Sequence, residues 1–353
     1  GFLAMQKYQF AVFIGRFQPY HNGHQHIISQ GLQQAEKMIV LCGSAHLPAS
    51  HRNPWSFNER KTMILSSFSK EEADRITVLP LMDSPYNDAI WSQSVQTIVN
   101  GVVQALNTMP HNTPGIALIG HSKDHSSFYL KMFPQWESIE VDNLDGLNAT
   151  RLRDDYFSHA DNFTHSDRIF TTLTPTGTQQ FFAEQFSQTA FDTIRAEHEF
   201  IEDYKKQWQA VPYPPVFVTV DAVVIQSGHI LLVKRRARPG KGLAALPGGF
   251  IGQNERLQEG CIRELREETK LKIPEAVLRG CIKRQHTFDD PHRSARGRTI
   301  THAFLIELPA AEELPKVKGG DDAEKAFWLP LADMKPEKMF EDHYFIIRHL
   351  LGE

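Results

Sequence analysis

Short apolar runs alternate with longer amphipathic segments in the first half of the chain. The apolar runs span residues 10–14, 38–42, 76–79 and 116–119, and a segment with helical periodicity spans residues 23–36. Continuous apolar runs of this length predict strands that are buried on both faces. Strands that alternate with helices predict βαβ units, and therefore a Rossmann-like parallel sheet with helices on both faces.

The pattern changes in the second half. Residues 178–210 are helical in periodicity and rich in aromatic residues, and this pattern stops at a cluster of three prolines that begins at Pro212. Beyond the prolines we expect a mixed α+β sandwich with one strongly charged helix. Its strands are predicted at residues 216–225, 230–233, 301–307 and 326–329, and a glycine-rich turn is predicted at residues 247–249.

Chain length agrees with two domains, since 353 residues exceed one ordinary core. We predict a first domain over residues 5–180, a helical linker over residues 181–212 and a second domain over residues 213–353. The four residues before Met5 are interpreted as a cloning remnant.

Composition excludes some classes of function. A formal charge of −4 disfavours a nucleic-acid binder, because neutralising phosphates requires a basic surface. Small anionic substrates remain open. Neither a signal peptide nor a membrane span is found, and three cysteines without a C-x-x-C pair indicate a reducing cytoplasm.

The first candidate site follows the first predicted strand. Residues 15–24 read GRFQPYHNGH, and the next helix begins near Asn22 or Gly23. The carboxyl edge of a parallel sheet is where ligands bind, and a helix N-terminus offers free N–H groups to an anion. Gly15 permits close approach of a phosphate, Arg16 adds positive charge, and His21 and His24 are spaced to face the same group.

Two other interpretations of this segment exist. The dinucleotide fingerprint G-x-G-x-x-G is absent, which disfavours a hydride-transfer enzyme. A helix N-terminus that carries two histidines without a ligand is the plainer alternative, and the surrounding Gly-Arg-Phe-x-Pro sequence argues against it.

Residues 15–24 resemble the H-x-G-H signature of the nucleotidyltransferase superfamily. Residues 53–60, 120–124 and 148–153 are similar, in order, to segments of archaeal-type nicotinamide mononucleotide (NMN) adenylyltransferases. The resemblance covers most of residues 6–175 and implies transfer of AMP from ATP to NMN, giving NAD and pyrophosphate. The closing motif of that family usually begins with serine, whereas this chain has Asn148, which can also hydrogen-bond phosphate.

The resemblance also implies roles for individual residues. Trp91 would stack on the nicotinamide, although a core aromatic on an amphipathic helix is the plainer interpretation. The residues implied in catalysis are His21, His24, Arg16 and Arg153. Those implied in ATP binding are Gly15, Phe17, Gly23, Arg60, Gly120, Lys123, Asp124, Asn148 and Thr150. Those implied in NMN binding are Asp83, Tyr86, Asn87 and Trp91.

The chemistry of this transfer asks little of the protein. The phosphate of NMN is already an anionic nucleophile, so no general base is needed. We expect the histidines and arginines to stabilise charge on the α-phosphate and the leaving pyrophosphate, with Mg²⁺ bridging phosphate oxygens.

The second candidate site lies on the charged helix. Glu255 precedes Arg263, after which Glu264, Glu267 and Glu268 are spaced to converge on one helical face. A solvated charged helix is the ordinary interpretation of such a stretch. The preceding Leu-Pro-Gly-Gly turn favours a metal site, because clustered carboxylates suit Mg²⁺ or Mn²⁺ and the ion can activate water against a diphosphate.

This stretch resembles the Nudix box, Gx5Ex7REUxEExGU, with Lys270 in place of the last glycine. The resemblance spans residues 213–350 and implies that Glu264, Glu267 and Glu268 bind metal, while Glu255 either joins them or pairs with Arg263. Because the missing glycine would serve the turn after the helix, we expect the helix end to be altered and catalysis to be retained.

A downstream loop is similar to the substrate loop of ADP-ribose pyrophosphatases. The residues implied in ADP-ribose binding are Phe288, Asp289, Arg293, Arg296 and Arg298. A solvated basic loop is the alternative for each arginine. Asp321, Asp322 and Glu324 are candidates for a general base.

Together the halves resemble bacterial bifunctional NMN adenylyltransferase/Nudix hydrolase proteins. NAD synthesis is the expected first activity, and hydrolysis of ADP-ribose to AMP and ribose 5-phosphate the second. One alternative is an adenylyltransferase for another phosphorylated substrate, and another is a Nudix half that senses nucleotides to regulate transcription. Oligomeric state, including a homo-oligomer, and the choice between NMN and its acid analogue stay open.

Overall fold

The computed structural model describes residues 6–106, 115–121, 131–144, 146–163, 168–320 and 323–353. The chain divides into two compact units, Gly1–Ala196 and Glu197–Glu353. Within these described ranges no helix combines the length and the apolar character that a membrane span requires.

Across its described residues, the first unit contains a parallel sheet of five strands in the order β3-β2-β1-β4-β5. The strands are β1 (Tyr8–Gly15), β2 (Ala35–Cys42), β3 (Ile76–Pro80), β4 (Ile116–His121) and β5 (Glu137–Val141). The helices are α1 (Asn22–Gln34), α2 (Phe57–Leu65), α3 (Lys70–Ala73), α4 (Asp88–Leu106), α5 (Ala149–Phe157), α6 (Arg168–Leu173), α7 (Thr176–Glu184) and α8 (Gln188–Lys206). This arrangement confirms the predicted Rossmann-like fold.

Both faces of this sheet are covered by apolar cores. Phe10, Val12 and Ile14 of β1 pack into one core together with α4, whereas Ala11 and Phe13 pack into the other with α1 and α2. Burial on both faces is why the run at residues 10–14 is continuously apolar rather than alternating.

Two elements of the first unit differ from the sequence prediction. Helix α1 ends at Gln34 rather than residue 36, because β2 begins directly at Ala35. Strand β5 was not predicted, since only two of its five residues, Ile139 and Val141, are buried and the strand carries no apolar run.

The second unit contains a mixed sheet with the path β10-β11-β6-β7-β12, and β8 and β9 pair with β7 and β6. Its strands are β6 (Phe217–Gln226), β7 (His229–Arg235), β8 (Ala244–Ala245), β9 (Gly248–Phe250), β10 (Ile282–Phe288), β11 (Thr299–Glu307) and β12 (Ala323–Pro330). Its helices are α9 (Leu257–Thr269), α10 (Glu275–Gly280) and α11 (His343–Leu350). The predicted α+β class is confirmed.

Helix α9 carries the charged sequence that was singled out above. Its apolar side, with Cys261, Ile262 and Leu265, packs against Val220, Ala222 and Val224 of β6. The opposite side of α9 is therefore the side left to the carboxylates.

The segment between the predicted domains is helical, as α7 and α8. Helix α8 ends at Lys206, before the prolines, and the division between the two compact units falls inside it, after Ala196. The domain limits at residues 180 and 213 stay predictions.

Candidate active sites

His21 and His24 together cap the first turn of α1. The Nδ1 atom of His21 accepts the backbone N–H of Gly23 at 3.0 Å, and the Nδ1 atom of His24 accepts the backbone N–H of His21 at 3.1 Å. The two imidazole rings are stacked with centroids 3.6 Å apart. The pair therefore satisfies N–H groups that a helix N-terminus otherwise leaves unpaired.

This geometry fixes the protonation of both rings. Because each Nδ1 atom accepts a hydrogen bond, each neutral ring carries its proton on Nε2 and can donate it to a ligand. Burial, followed by the neighbouring His121, lowers the pKa of His21 to about 4. Burial, His21 and His121 lower the pKa of His24 well below its usual value. Near neutral pH the pair acts as neutral hydrogen-bond donors.

Two glycines are required by close packing around this pair. A methyl group at Gly15 would lie 2.8 Å from the Phe17 ring, and one at Gly23 would lie 2.8 Å from the His21 ring. Phe17 itself adopts a positive φ of 53°. The turn after β1 therefore has space for glycine alone at these two positions.

Three arginines surround the turn, and all of them contact backbone oxygens. Arg16 donates to the Arg52 carbonyl at 2.8 Å, and Arg153 donates to the Gln18 carbonyl at 2.6 Å. Arg60 is 1% exposed and bridges the Arg16 and Gly43 carbonyls at 2.7 and 2.6 Å. Arg60 thus links the residues that directly follow β1 and β2 through hydrogen bonds.

Burial changes both the pKa and the hydrogen bonding of two of these arginines. Burial, followed by the neighbouring Arg52 and Arg153, lowers the pKa of Arg16 to about 9, and burial lowers the pKa of Arg153 to about 10. Among the described residues, the Nε atoms of both arginines are buried without a hydrogen-bond partner. Concentrated, partly unsatisfied guanidinium groups suit a polyanionic ligand.

Asn148 and Thr150 lie at the start of α5. The Asn148 side chain caps the helix by accepting the Thr150 N–H at 2.9 Å, and the Thr150 hydroxyl accepts from Arg153 at 3.3 Å. Gly120 is buried at the end of β4. Lys123 and Asp124 lie outside the described residues.

The residues predicted to bind NMN lie at the ends of neighbouring elements. Asp83 follows β3 and accepts the Ser44 backbone N–H and hydroxyl at 3.2 and 3.1 Å. Asn87 caps α4 by accepting the Ile90 N–H at 3.1 Å. Trp91 is half-buried on α4 with its ring 6.1 Å from that of Phe133, and Tyr86 is half-buried just before that helix.

In the second unit, Arg263 gathers three of the predicted carboxylates. It donates to Glu255 at 2.6 and 2.9 Å, to Glu264 at 3.0 Å and to Glu267 at 3.2 Å. The hydrogen bond from Arg263, with one from the Gly252 N–H, lowers the pKa of Glu255 to about 2. Glu255 therefore pairs with Arg263, which is one of the two roles considered for it.

Glu268 is buried and faces β9, where Gly248 and Gly249 lie in a short strand paired with β6 rather than in the predicted turn. Its Oε2 atom accepts the Gly248 N–H at 3.1 Å. A methyl group at Gly249 would lie 2.8 Å from the Glu264 carboxylate. Strand β9 and the carboxylates are thus in contact, and the four carboxylates outnumber the one guanidinium among them. Hard oxygen donors with this excess charge fit a divalent cation.

Lys270 corrects the expectation of an altered helix end. It follows Thr269 in the left-handed conformation, with φ 55° and ψ 26°, and its N–H bonds to the Arg266 carbonyl at 3.0 Å. This is the termination that glycine usually provides, so the lysine adopts the strained conformation and the helix end is unchanged.

The predicted ADP-ribose residues separate into two groups. Arg293 is buried in a two-pronged ion pair with Asp342 at 2.8 and 2.9 Å, and Phe288 is fully buried. Arg296, Arg298 and Asp289 are more accessible, and Arg298 donates to the Asp289 carbonyl at 2.5 Å. Of the candidate general bases, Glu324 pairs with Lys234 at 3.6 Å, and Asp321 and Asp322 lie outside the described residues.

Each half of the chain is similar to known proteins. Residues 12–97 match a cytidylyltransferase-like family and residues 215–350 match the NUDIX domain family. A nicotinamide/nicotinic acid mononucleotide adenylyltransferase of Acinetobacter baylyi is 37% identical over 178 residues, which cover 50% of this chain and 86% of that protein. An ADP-ribose pyrophosphatase of Methanocaldococcus jannaschii is 35% identical over 131 residues, which cover 37% of this chain and 70% of that protein.

A solved structure spans both units. It is a bifunctional NMN adenylyltransferase/ADP ribose pyrophosphatase from Francisella tularensis, complexed with AMP and a manganese ion. It is 36% identical and covers 98% of each chain with a TM-score of 0.85. This chain belongs to the same bifunctional family. In that family assignment the H-x-G-H turn marks the adenylyltransferase unit, and the carboxylate helix marks the Nudix unit.

Sequence reasoning missed two residues beside the sites of this bifunctional family member. His121 ends β4 beside β1, is 6% exposed and lowers the pKa of both site histidines. It lies inside the segment 120–124 that carries the family resemblance, and it ends a strand, where polar residues face the ligand edge of a parallel sheet, so both signals point to it.

Asp221 is the other missed residue. It lies on β6 beside Gly248, and burial raises its pKa to about 6. Thr301 donates to it at 2.5 Å. A single acid inside an apolar strand gives no signal in the sequence alone.

Proposed function

We propose that the first unit transfers AMP from ATP to NMN, giving NAD and pyrophosphate, and that the second unit hydrolyses ADP-ribose to AMP and ribose 5-phosphate. The observation that carries this proposal is the likeness to the Francisella protein over 98% of the chain. That likeness does not favour a purely sensory Nudix unit.

In the first reaction the 5′-phosphate oxygen of NMN attacks the α-phosphorus of ATP. The bond to the bridging oxygen breaks, and pyrophosphate leaves with the electron pair. His21 and His24 donate their Nε2 protons as hydrogen bonds to phosphate oxygens, and Arg16 and Arg153 neutralise charge on the triphosphate. Because both histidines are neutral, the arginines supply the positive charge of the site.

NMN lies, in this proposal, against Asp83, Tyr86, Asn87 and Trp91. The ordered ends of β3 and α4 hold these residues at the same sheet edge as the histidines. Mg²⁺, when bound with the triphosphate, would add to the charge neutralisation by the arginines.

In the second reaction a water oxygen attacks one phosphorus of ADP-ribose, the bond from that phosphorus to the bridging oxygen breaks, and the other phosphate leaves with the electron pair, giving AMP and ribose 5-phosphate. Glu264, Glu267 and Glu268 would hold Mg²⁺ or Mn²⁺, which would supply charge neutralisation at the diphosphate and a more acidic water. Glu255 positions Arg263, and the Gly248 N–H of β9 holds the Glu268 carboxylate.

His24→Ala tests the first assignment. Loss of one oriented donor to a developing oxyanion typically costs a factor of about 100 or more in kcat. The parent and the variant are compared by chromatographic assay of NAD and pyrophosphate from NMN, ATP and Mg²⁺. His26→Ala on the same helix is the matched control and should retain the parent rate. Equal rates for the His24 variant and the parent would remove His24 from the reaction.

Glu268→Gln tests the second assignment. Glutamine keeps an acceptor for the Gly248 N–H but removes the charge that holds a cation, so AMP release from ADP-ribose should fall at least about 100-fold. Glu259→Gln, which is also on α9 but at its exposed first turn, is the control. If the parent itself releases no AMP from ADP-ribose with either metal, the assigned substrate is wrong.

A further inference from the structure

An aromatic cluster lies beside the carboxylates of the second unit. The Phe217 ring is 5.8 Å from Phe250 and 5.1 Å from Trp208, both in edge-to-face contact. Phe250 is 42% exposed and Trp208 is 37% exposed. Phe250 and Trp208 are thus partly exposed to solvent, and the Phe217 ring contacts both of them.

Phe250 lies next to the carboxylate site. It follows Gly249, where a methyl group would lie 2.8 Å from the Glu264 carboxylate. Its own carbonyl accepts from Arg263 at 3.4 Å, and Arg263 is the residue that gathers Glu255, Glu264 and Glu267. The exposed ring therefore starts one residue away from the place where a diphosphate would bind.

Arg296 completes the cluster from the opposite loop. Its guanidinium carbon lies 5.6 Å from the centre of the Phe250 ring. Its nearest acid is Glu341 at 3.9 Å, and its buried Nε atom has no hydrogen-bond partner among the described residues. Gly297, with φ 146°, places the loop backbone against Phe217, since a methyl group there would be 3.3 Å from that ring.

We infer that Trp208, Phe217, Phe250 and Arg296 form a platform for the nucleobase of the diphosphate substrate. The inference rests on the proposed hydrolysis of ADP-ribose and extends it to the other end of that molecule. A planar base gains from stacking on exposed aromatic rings and on a guanidinium plane. The positive charge of Arg296 suits the adjoining phosphate, so one cluster recognises both parts of a nucleoside diphosphate.

The platform gives a specific expectation for Phe250→Leu. Leucine keeps apolar contact with Phe217 but removes the ring, so the KM for ADP-ribose should rise about tenfold, within the range of one lost base–aromatic stack. Because the diphosphate and the carboxylates are unchanged, kcat should stay within about twofold.

A second substrate separates stacking from a general loss of structure. Uridine diphosphate ribose carries the same diphosphate and ribose but a smaller base, so its KM should rise less, by about threefold. The ratio of kcat/KM between the adenine and uracil substrates should therefore fall in Phe250→Leu. Phe200→Leu is the matched control, because Phe200 is also a phenylalanine with an exposed ring, at 36%, but it contacts Tyr204 rather than Phe250.

The outcomes are distinguishable. If the parent hydrolyses ADP-ribose and Phe250→Leu leaves its KM unchanged, the platform is overturned while the proposed function stands. If Phe250→Leu alters sedimentation and leaves KM unchanged, the surface is a contact between copies of the chain and the platform is again overturned. A parent that does not hydrolyse ADP-ribose overturns both. Unchanged NAD synthesis in the variant shows that the first unit is intact.

Discussion

At the scale of single residues, several side chains that are proposed to bind phosphate also cap helices. His21 and His24 cap α1 through Nδ1 while their Nε2 protons remain for a ligand. Asn148 caps α5, where the resembling family usually has serine, and asparagine is as good a cap as serine. Such residues are constrained by folding and by catalysis together.

The neutral state of His21 predicts how stability depends on pH. The pKa is about 4 in the folded chain against a usual value near 6.5, so the unfolded chain binds this proton first as the pH falls. Stability from this residue is complete above pH 6.5 and is lost as the pH falls from 6.5 towards 4. The loss is on the order of 2–3 kcal/mol.

His21→Asn provides the measurement. Asparagine is a good N-cap and does not titrate, so the variant should lack this part of the pH dependence. Urea unfolding of the first unit is followed at several pH values for the parent and the variant. A difference in unfolding free energy that stays constant from pH 7 to pH 4 would contradict the neutral, buried state of His21.

Arg293 is predicted to stabilise the second unit. Burial disfavours its charge, but Asp342, Glu341 and Asp221 outweigh burial and raise its pKa. Removing one partner of a buried ion pair leaves the other charge uncompensated, so Arg293→Met should lower the unfolding free energy by about 3–5 kcal/mol. Arg298→Met, in the same loop, should change it by less than about 1 kcal/mol. Equal effects of the two substitutions in urea unfolding would contradict this distinction.

At the scale of elements, the backbone conformation at the end of α9 predicts a change in the stability of the second unit. Lys270 holds a left-handed conformation that costs a side-chain-bearing residue about 1–2 kcal/mol, whereas glycine adopts it freely. After allowing for the greater freedom of glycine in the unfolded chain, Lys270→Gly should raise the unfolding free energy by about 1 kcal/mol.

Lys270→Ala separates the backbone effect from the lysine side chain. Alanine also lacks the long side chain but retains the strain, so it should give no increase in stability. The midpoints of urea unfolding are compared for the two variants and the parent, and only Lys270→Gly should have a higher midpoint. A similar increase for both variants would show that the lysine side chain, not its backbone conformation, is the destabilising feature.

Elements were predictable where their pattern was strong. The buried strands β1 and β2 were visible because burial on both faces demands continuous apolar residues. Strand β5 was missed because it lacks such a run, and β9 because Gly248–Phe250 has only three residues. The carboxylate side of α9 was predictable from spacing, but the position of Arg263 among Glu255, Glu264 and Glu267 depends on how α9 packs against the segment that carries Glu255.

At the scale of the whole molecule, each compact unit contains its own core and its own set of site residues. The sequence indicated this division because motifs of two unrelated folds follow each other along the chain. It did not indicate the platform around Phe250, since Trp208, Phe217 and Arg296 are distant in sequence and meet only in the folded unit.

Separate cores predict that the two activities are lost independently. In the parent, the urea concentration that halves each activity reports the stability of the unit that carries it. Arg293→Met should lower the midpoint for ADP-ribose hydrolysis by at least about 1 M, given typical urea dependences of 1–3 kcal/mol per M, and should leave the midpoint for NAD synthesis unchanged. The reciprocal substitution Ile28→Ala, in the apolar core of the first unit, should lower only the midpoint for NAD synthesis. If either substitution moves both midpoints together, the two units unfold as one cooperative body and stability is shared across the chain.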